Sequence, residues 1–183
     1  MGISLYLHRI LRRRYLKGRY KALFFILKME YNKVLTLVNE ALEENTTLFL
    51  IEATISPDFK IKVVVDGDNG VTVKDCVKIS RHVEHNLDRE TEDFSLEVTT
   101  GGAAEPLKLK RQYKKNVGRI LKVRLIDTTE IEGTLTEVLE DGIVLNWKAR
   151  EPKPVGKGKI TVDKNATIAF ENIKEAKAKI IFN

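Results

Sequence analysis

The sequence predicts an α+β protein, an N-terminal α-β-β-α-β domain followed by a small SH3-like or Sm-like β-barrel. Apolar residues recur at helical spacing over 29–45 and 73–87, whereas 47–65 and 94–99 alternate with a period of two. Beyond residue 107 the texture is that of short strands separated by turn signals. Charge changes sign at the same place: residues 29–107 hold 7 basic and 16 acidic side chains, net −9, and 108–183 hold 17 and 10, net +7. We therefore expect domains at 29–107 and 108–183.

In the first domain, Tyr31, Val34, Leu35, Val38, Ala41 and Leu42 form a helical stripe that ends near Asn45. The strand "TLFLIEATIS" (47–56) is expected to place Phe49, Ile51, Ala53 and Ile55 on one face. Pro57-Asp58 marks a turn, and "FKIKVVVDG" returns as the second arm of a hairpin with Phe59, Ile61, Val63 and Val65 in register. Thr72 is placed to cap a second helix with Asp75 three residues on, and Val73, Cys76, Val77, Ser80, Val83 and Leu87 form its stripe. "FSLEVT" (94–99) is a third strand, with Phe94, Leu96 and Val98 inward. Both helices should pack on one face of this sheet.

The second domain opens on "GRILKVRLID" (118–127), Leu121, Val123 and Leu125 inward and Lys122 and Arg124 outward. "EIEGTLTEVLEDGIVLNWKAR" is a hairpin turning at Asp141-Gly142, and Gly133 suggests a tight bend. "KITVD" and "EAKAKIIFN" complete about five short strands, the last with Ala176, Ala178, Ile180 and Phe182 on one side.

Residues 1–28 carry eight Lys or Arg and no acid. They lack the long apolar run and small-residue cleavage site of a secretory signal, and with Ser4 alone they are serine-poor for a transit peptide. We expect a basic leader, disordered or absent from a native product that starts at Met29; a basic amphipathic helix on a membrane or RNA surface is the alternative. The chain has no run of the roughly 20 apolar residues a membrane helix needs. One cysteine, Cys76, precludes an internal disulfide framework and fits a reducing compartment. The expected location is the cytoplasm.

The segment "VVVDGDNGVTVKDC" (63–76) looks most like a site. Counting from Asp66, a calcium loop would need ligands at positions 5 and 12, which are Gly70 and Val77. Gly67-Asp68-Asn69-Gly70 matches the GXXG of KH domains, but it follows a strand and its aspartates repel phosphate. A strand-to-helix turn is the simpler reading. Cys76 falls on an apolar stripe, and His82, His85 and Asp88 mark a solvated helix face without further metal ligands. "EPKPVGKGK" fails as a phosphate loop because Glu151 stands where the first glycine belongs. We expect no catalytic residues, metal site, cofactor or small-molecule substrate.

The chemistry-bearing constellation is electrostatic. Lys114, Lys115, Arg119, Lys122 and Arg124 lead into the barrel, and Lys148, Arg150, Lys153, Lys157 and Lys159 fill one hairpin edge and its loop. Outward cations on adjacent strands neutralise phosphates with little sequence readout. Trp147 and Tyr113 are candidate base stackers, although Trp147 shares a strand face with Ile143 and Leu145, which favours the core. Thr99, Thr100, Gly101 and Gly102 form a candidate contact loop. A surface that is merely solvated is the bland alternative, since ten acids are interspersed.

The order of elements and several phrases resemble the bacterial ribosome maturation factor RimP family. Residues 66–76 are similar to that family's D-x-(D/E)-x-G-V-T-(V/L)-x-(D/E)-C run, and the resemblance continues through "FSLEVTTGGAAEPLKLKRQYKKNVGRILKVRL" and "IEGTLTEVLEDGIVL", covering about residues 29–183. The family's Ser-Ser-Pro-Gly is replaced by Thr99-Thr100-Gly101-Gly102, and its usual Asp-Arg before Pro-Leu by Ala104-Glu105. The resemblance implies a helical turn before the first barrel strand and a non-enzymatic, monomeric assembly factor. Its implied partner is the immature small ribosomal subunit, through ribosomal RNA and a basic ribosomal protein, with no membrane involved. A free-standing Sm-like protein acting on regulatory RNA is the rival, and an enzyme is a third class with no nucleophile–base pair behind it.

Overall fold

The computed structural model describes residues 31–56, 58–87, 94–154 and 157–180. The basic leader with Met29, and also Pro57, Asp88 and Phe182, lie outside the described residues. The protein is mixed α+β with two sheets, and the chain divides into two compact units, one of residues up to Val65 with Val71–Thr100, the other of Asp66–Gly70 with the chain from Gly101 onward.

The first unit runs α-β-β-α-β. Helix α1 spans the described residues 31–43 and strand β1 spans Leu48–Ile55. Strand β2 is Lys60–Gly67, helix α2 is Val73–Asn86 and strand β3 is Ser95–Thr100. The sheet order is β1-β2-β3, with β2 and β3 parallel, so α2 is the crossover that a parallel pair requires. The four residues between β1 and β2 are too few for a crossover and make the hairpin expected. Val34, Val38, Ile61, Val63, Val65, Ile79 and Val83 are the heart of one cluster, which draws both helices onto the odd-numbered face of β2.

Thr72 caps α2 as its position predicts: its hydroxyl accepts from the Asp75 backbone N–H at 3.3 Å, and the Asp75 carboxylate accepts from the Thr72 N–H at 2.9 Å. The Thr72 hydroxyl also donates to the Asp75 carboxylate at 2.6 Å, and that bond, with the one from the Thr72 N–H, holds the Asp75 carboxyl below its usual pKa. Two side-chain assignments are corrected. On α2 the buried stripe runs through Cys76, Ile79, Val83 and Leu87, while Val73 and Val77 are 80% and 41% exposed. On β1, Leu48 and Leu50 join the cluster with Ile55, while Phe49 and Ala53 are buried as well, so both faces of the strand are covered. "LFLI" is apolar on both faces, so its periodicity leaves the parity open.

The second unit begins with a short helix, α3 (Lys110–Lys115), which only the family resemblance implied. Strands β4 (Ile120–Leu125), β5 (Glu130–Val138), β6 (Gly142–Pro152) and β7 (Lys159–Ala169) follow, and a 3-10 turn (Phe170–Asn172) leads to β8 (Ile173–Ala178). The sheet order is β7-β6-β5-β4-β8, all four neighbouring pairs being antiparallel. Two of the five strands, β6 and β7, are long at 11 residues each, not short as expected. Leu121, Val123, Leu135, Ile143, Leu145 and Ala176 are fully buried in its cluster. Ile180, expected inward, lies past the end of β8 and is 45% exposed.

The β5–β6 hairpin turns over residues 139–141, and glycine is needed at Gly142, the first residue of β6, for a steric reason. A Cβ on Gly142 would stand 2.5 Å from the Ile168 carbonyl oxygen. Gly133 is similar, since a Cβ there would meet the Asn146 oxygen at 3.0 Å, and the β5–β6 register shifts just beyond it, between Leu135 and Glu137.

Candidate nucleic-acid interface

Helix α3 is set by its own side chains. The Gln112 side-chain oxygen accepts from the backbone N–H groups of Lys108 (2.8 Å) and Leu109 (3.1 Å), which closes the first turn. Gln112 and Tyr113 are buried, so the four cations Lys110, Arg111, Lys114 and Lys115 take the outer positions. They border an open groove of about 730 Å³ whose other wall is Val138–Glu140.

Most of that charge is committed. Arg111 makes a bidentate pair with Asp68, at 2.8 Å from Nε and 2.5 Å from Nη2. Its guanidinium holds the Asp68 carboxyl below the usual carboxylate pKa. Lys115 Nζ donates to Asp66 Oδ1 at 2.5 Å, and Asp66 also accepts from the Gly67 N–H at 2.8 Å. Lys110 donates to the Glu140 carbonyl and lies 5.2 Å from the Phe170 ring centroid. Lys114 alone of the four has no ion pair or side-chain bond among the described residues. The run 66–70 is thus the turn expected, with Gly70 at φ +90°, and its aspartates are counter-ions to α3. Nothing in the sequence announces pairs separated by 43 and 49 residues.

The face of β4 is a second cationic region and is also balanced. Lys122 pairs with Glu130 at 2.9 Å, Arg124 with Glu175, Lys177 with Glu175 at 2.6 Å, and Lys179 with Glu132 at 2.6 Å. The Glu130 carboxylate raises the Lys122 pKa, and Lys177 followed by Arg124 lowers that of Glu175. Among the described residues the Arg119 guanidinium reaches the Asn116 side-chain oxygen, at 3.4 Å, and no carboxylate.

The third region is the β6–β7 pair. Lys148 stands opposite Asp163, Arg150 opposite Thr161, and Lys159 opposite Pro152 on one face. Lys153 and Lys157 continue past the strand ends. These five cations are exposed, and none forms an ion pair among the described residues. The neighbouring Lys164 is paired with Glu151.

The remaining sequence candidates separate clearly. Tyr113 is 4% exposed, packs edge-on against Phe170 at 5.2 Å, and burial pushes its pKa up to about 12, so it is a core residue and no base stacker. Trp147 is half-buried against the sheet's cluster. Thr99 and Thr100 are strand residues opposite Val64 and Val65, which leaves Gly101 and Gly102 as the loop proper. Burial raises the Cys76 thiol pKa, in keeping with a packing role. His82 lies 3.2 Å from Glu40, and among the described residues no three His, Cys, Asp or Glu side chains gather as a metal site. No described helix is long and apolar enough to cross a membrane.

The family model for the RimP N-terminal domain matches residues 37–104. The chain is 53% identical over 150 residues to the ribosome maturation factor RimP of Christiangramia forsetii, covering 82% of this chain and 97% of that one. The RimP of Flavobacterium psychrophilum is 50% identical over 150 residues with the same coverage. That of Porphyromonas gingivalis is 34% identical over 149 residues, covering 81% and 97%.

Proposed function

From membership of the ribosome maturation factor RimP family, to which this chain belongs, we propose that the protein is a ribosome assembly factor that binds the immature small ribosomal subunit and promotes its maturation without catalysis. The observation that carries this reading is 53% identity along 97% of a named maturation factor. The charge partition supports it physically. An acidic unit suits a basic ribosomal protein, and a basic unit suits ribosomal RNA; requiring both surfaces gives specificity from two weak contacts. In this reading the five-stranded unit is an SH3-like or Sm-like barrel, and the protein works as a cytoplasmic monomer.

Co-sedimentation with isolated ribosomal subunits tests it. Salt-sensitive pelleting with small subunits and little with large ones is expected, and equal pelleting with both, or none, overturns the reading. The regulatory-RNA alternative predicts instead that residues 108–183 bind short RNA as tightly as the whole chain does.

A further inference from the structure

Strand β5 pairs with β6 only as far as Asn146, opposite Thr134. Trp147–Pro152 pairs with β7 alone, through Lys164–Lys159. The distal half of the hairpin is therefore a two-stranded ribbon of six residue pairs, about 20 Å long. A two-stranded ribbon is marginal in water. Here it is an extension of a sheet whose core already holds the inner half.

The ribbon has a polar, cationic face. Lys148 and Arg150 are two residues apart on it, about 7 Å by strand geometry, and Lys159 lies further along opposite Pro152. The contrast with β4 decides what these cations are for. Each cation of the β4 face has a carboxylate partner, whereas Lys148, Arg150, Lys153, Lys157 and Lys159 have none among the described residues. A simpler use exists, since lysine and proline on bare strand edges prevent edge-to-edge aggregation. Glutamate guards an edge equally well, so reversing the charge separates the two uses.

We propose that the Trp147–Pro152/Lys159–Lys164 ribbon is the RNA-contacting arm of the protein, and that it grips the sugar–phosphate backbone of double-stranded RNA. The proposal rests on the ribosome-maturation reading above for the choice of RNA, and on the ribbon for the form of RNA. Single-strand binders present aromatic platforms on which bases stack. The ribbon's one aromatic, Trp147, packs toward the sheet's cluster, and its cationic face otherwise carries threonine and an aspartate. A preformed row of cations suits the regular phosphate row of a duplex and reads no sequence.

The test is fluorescence anisotropy on the full chain with an RNA duplex of about 16 base pairs, and with a single strand of equal length. The ribbon variant is K148E/R150E/K159E. The control K74E/K78E/R81E carries the same net charge change on exposed positions of α2. We expect the ribbon variant to lose about 100-fold in duplex affinity at low salt, its log–log salt slope falling by about three, and the control to lose under about threefold. Circular dichroism and the thermal midpoint should be unchanged in both. Retained duplex affinity in the ribbon variant, or equal loss in the control, overturns the proposal. Single-stranded RNA bound as tightly as duplex overturns the form of RNA assigned. Loss of pelleting with small subunits while duplex affinity persists means that the ribbon meets an acidic protein, which also overturns it. If the ribbon variant pellets like wild type, the arm is wrong and the maturation reading stands. If wild type fails to distinguish the subunits, the maturation reading falls while the duplex measurement still judges the ribbon.

Discussion

Residues Gly142–Asn146 of β6 lie between β5 and β7, whereas Trp147–Pro152 of the same strand has β7 alone. In the inner half, Ile143 and Leu145 are fully buried. In the outer half the alternation continues, but Ala149 is only half-buried and Ile160, opposite Glu151, is 37% exposed. Pairing with β7 is the same in both halves; what differs is whether a third strand and a core lie alongside. Alternation therefore specifies that a segment is a strand, and the neighbours specify what its two faces do. The cations repeat the lesson. On β4 they pair with glutamates on β5 and β8, and on β6 they form no ion pair among the described residues, although Asp163 stands opposite Lys148.

The sharpest way to break this comparison is to truncate each half. Leu145→Ala should cost about 2–5 kcal/mol in urea unfolding, because a fully buried leucine leaves a cavity, while Ile160→Ala should stay within about 0.5 kcal/mol. Equal costs would mean that the ribbon has a core of its own. Gly142→Ala should cost about 1–3 kcal/mol, since its Cβ meets backbone that cannot swing away.

Charge reversal on the balanced face gives the next effect. Lys122→Glu with Arg124→Glu places like charges across from Glu132 and Glu130 and should lower the urea midpoint. Its duplex-RNA affinity should change by less than about threefold, against the hundredfold expected of the ribbon. A loss as large as the ribbon's would erase the distinction between the two faces.

Titration supplies a smaller signal. Tyrosinate absorbance from Tyr113, isolated as the difference from Tyr113→Phe, should rise near pH 12 instead of the ordinary 10.0. The folded value is raised, so the neutral ring's contribution is intact below 10 and is lost as pH climbs toward 12. A rise near 10 would mean that the ring is wet and available to bases after all.

The smallest effect is expected at Asp68. Its folded pKa lies below 3.8 because of Arg111, so the pair stabilises fully above the unfolded value and is lost as pH falls through the folded one. Asp68→Asn should unfold slightly earlier at neutral pH and converge with wild type in acid. A constant difference at all pH values would show that charge is not the cause.

Local signals were legible where one rule acted alone. The capping box at Thr72 and Asp75, the β5–β6 hairpin, and the inward Leu121 and Val123 all follow from spacing and local signals. The misassigned face on α2 falls where apolar residues exceed what one face can bury, so packing chose Ile79 over Val77, while on β1 both Leu48 and Phe49 are buried. The strand lengths were underestimated because a ribbon is held by a partner strand and not by its own pattern.

By itself the chain determined the order of its elements, the opposite charge of its two parts and its family likeness, because these depend on neighbours within a few residues or on composition. Only the tertiary structure decided which cations are available. Asp66 and Asp68 occupy Lys115 and Arg111 from more than 40 positions away, and Glu175 occupies Arg124 across the sheet. An ion pair depends on distances of a few ångströms in space, and separation along the chain carries no record of them.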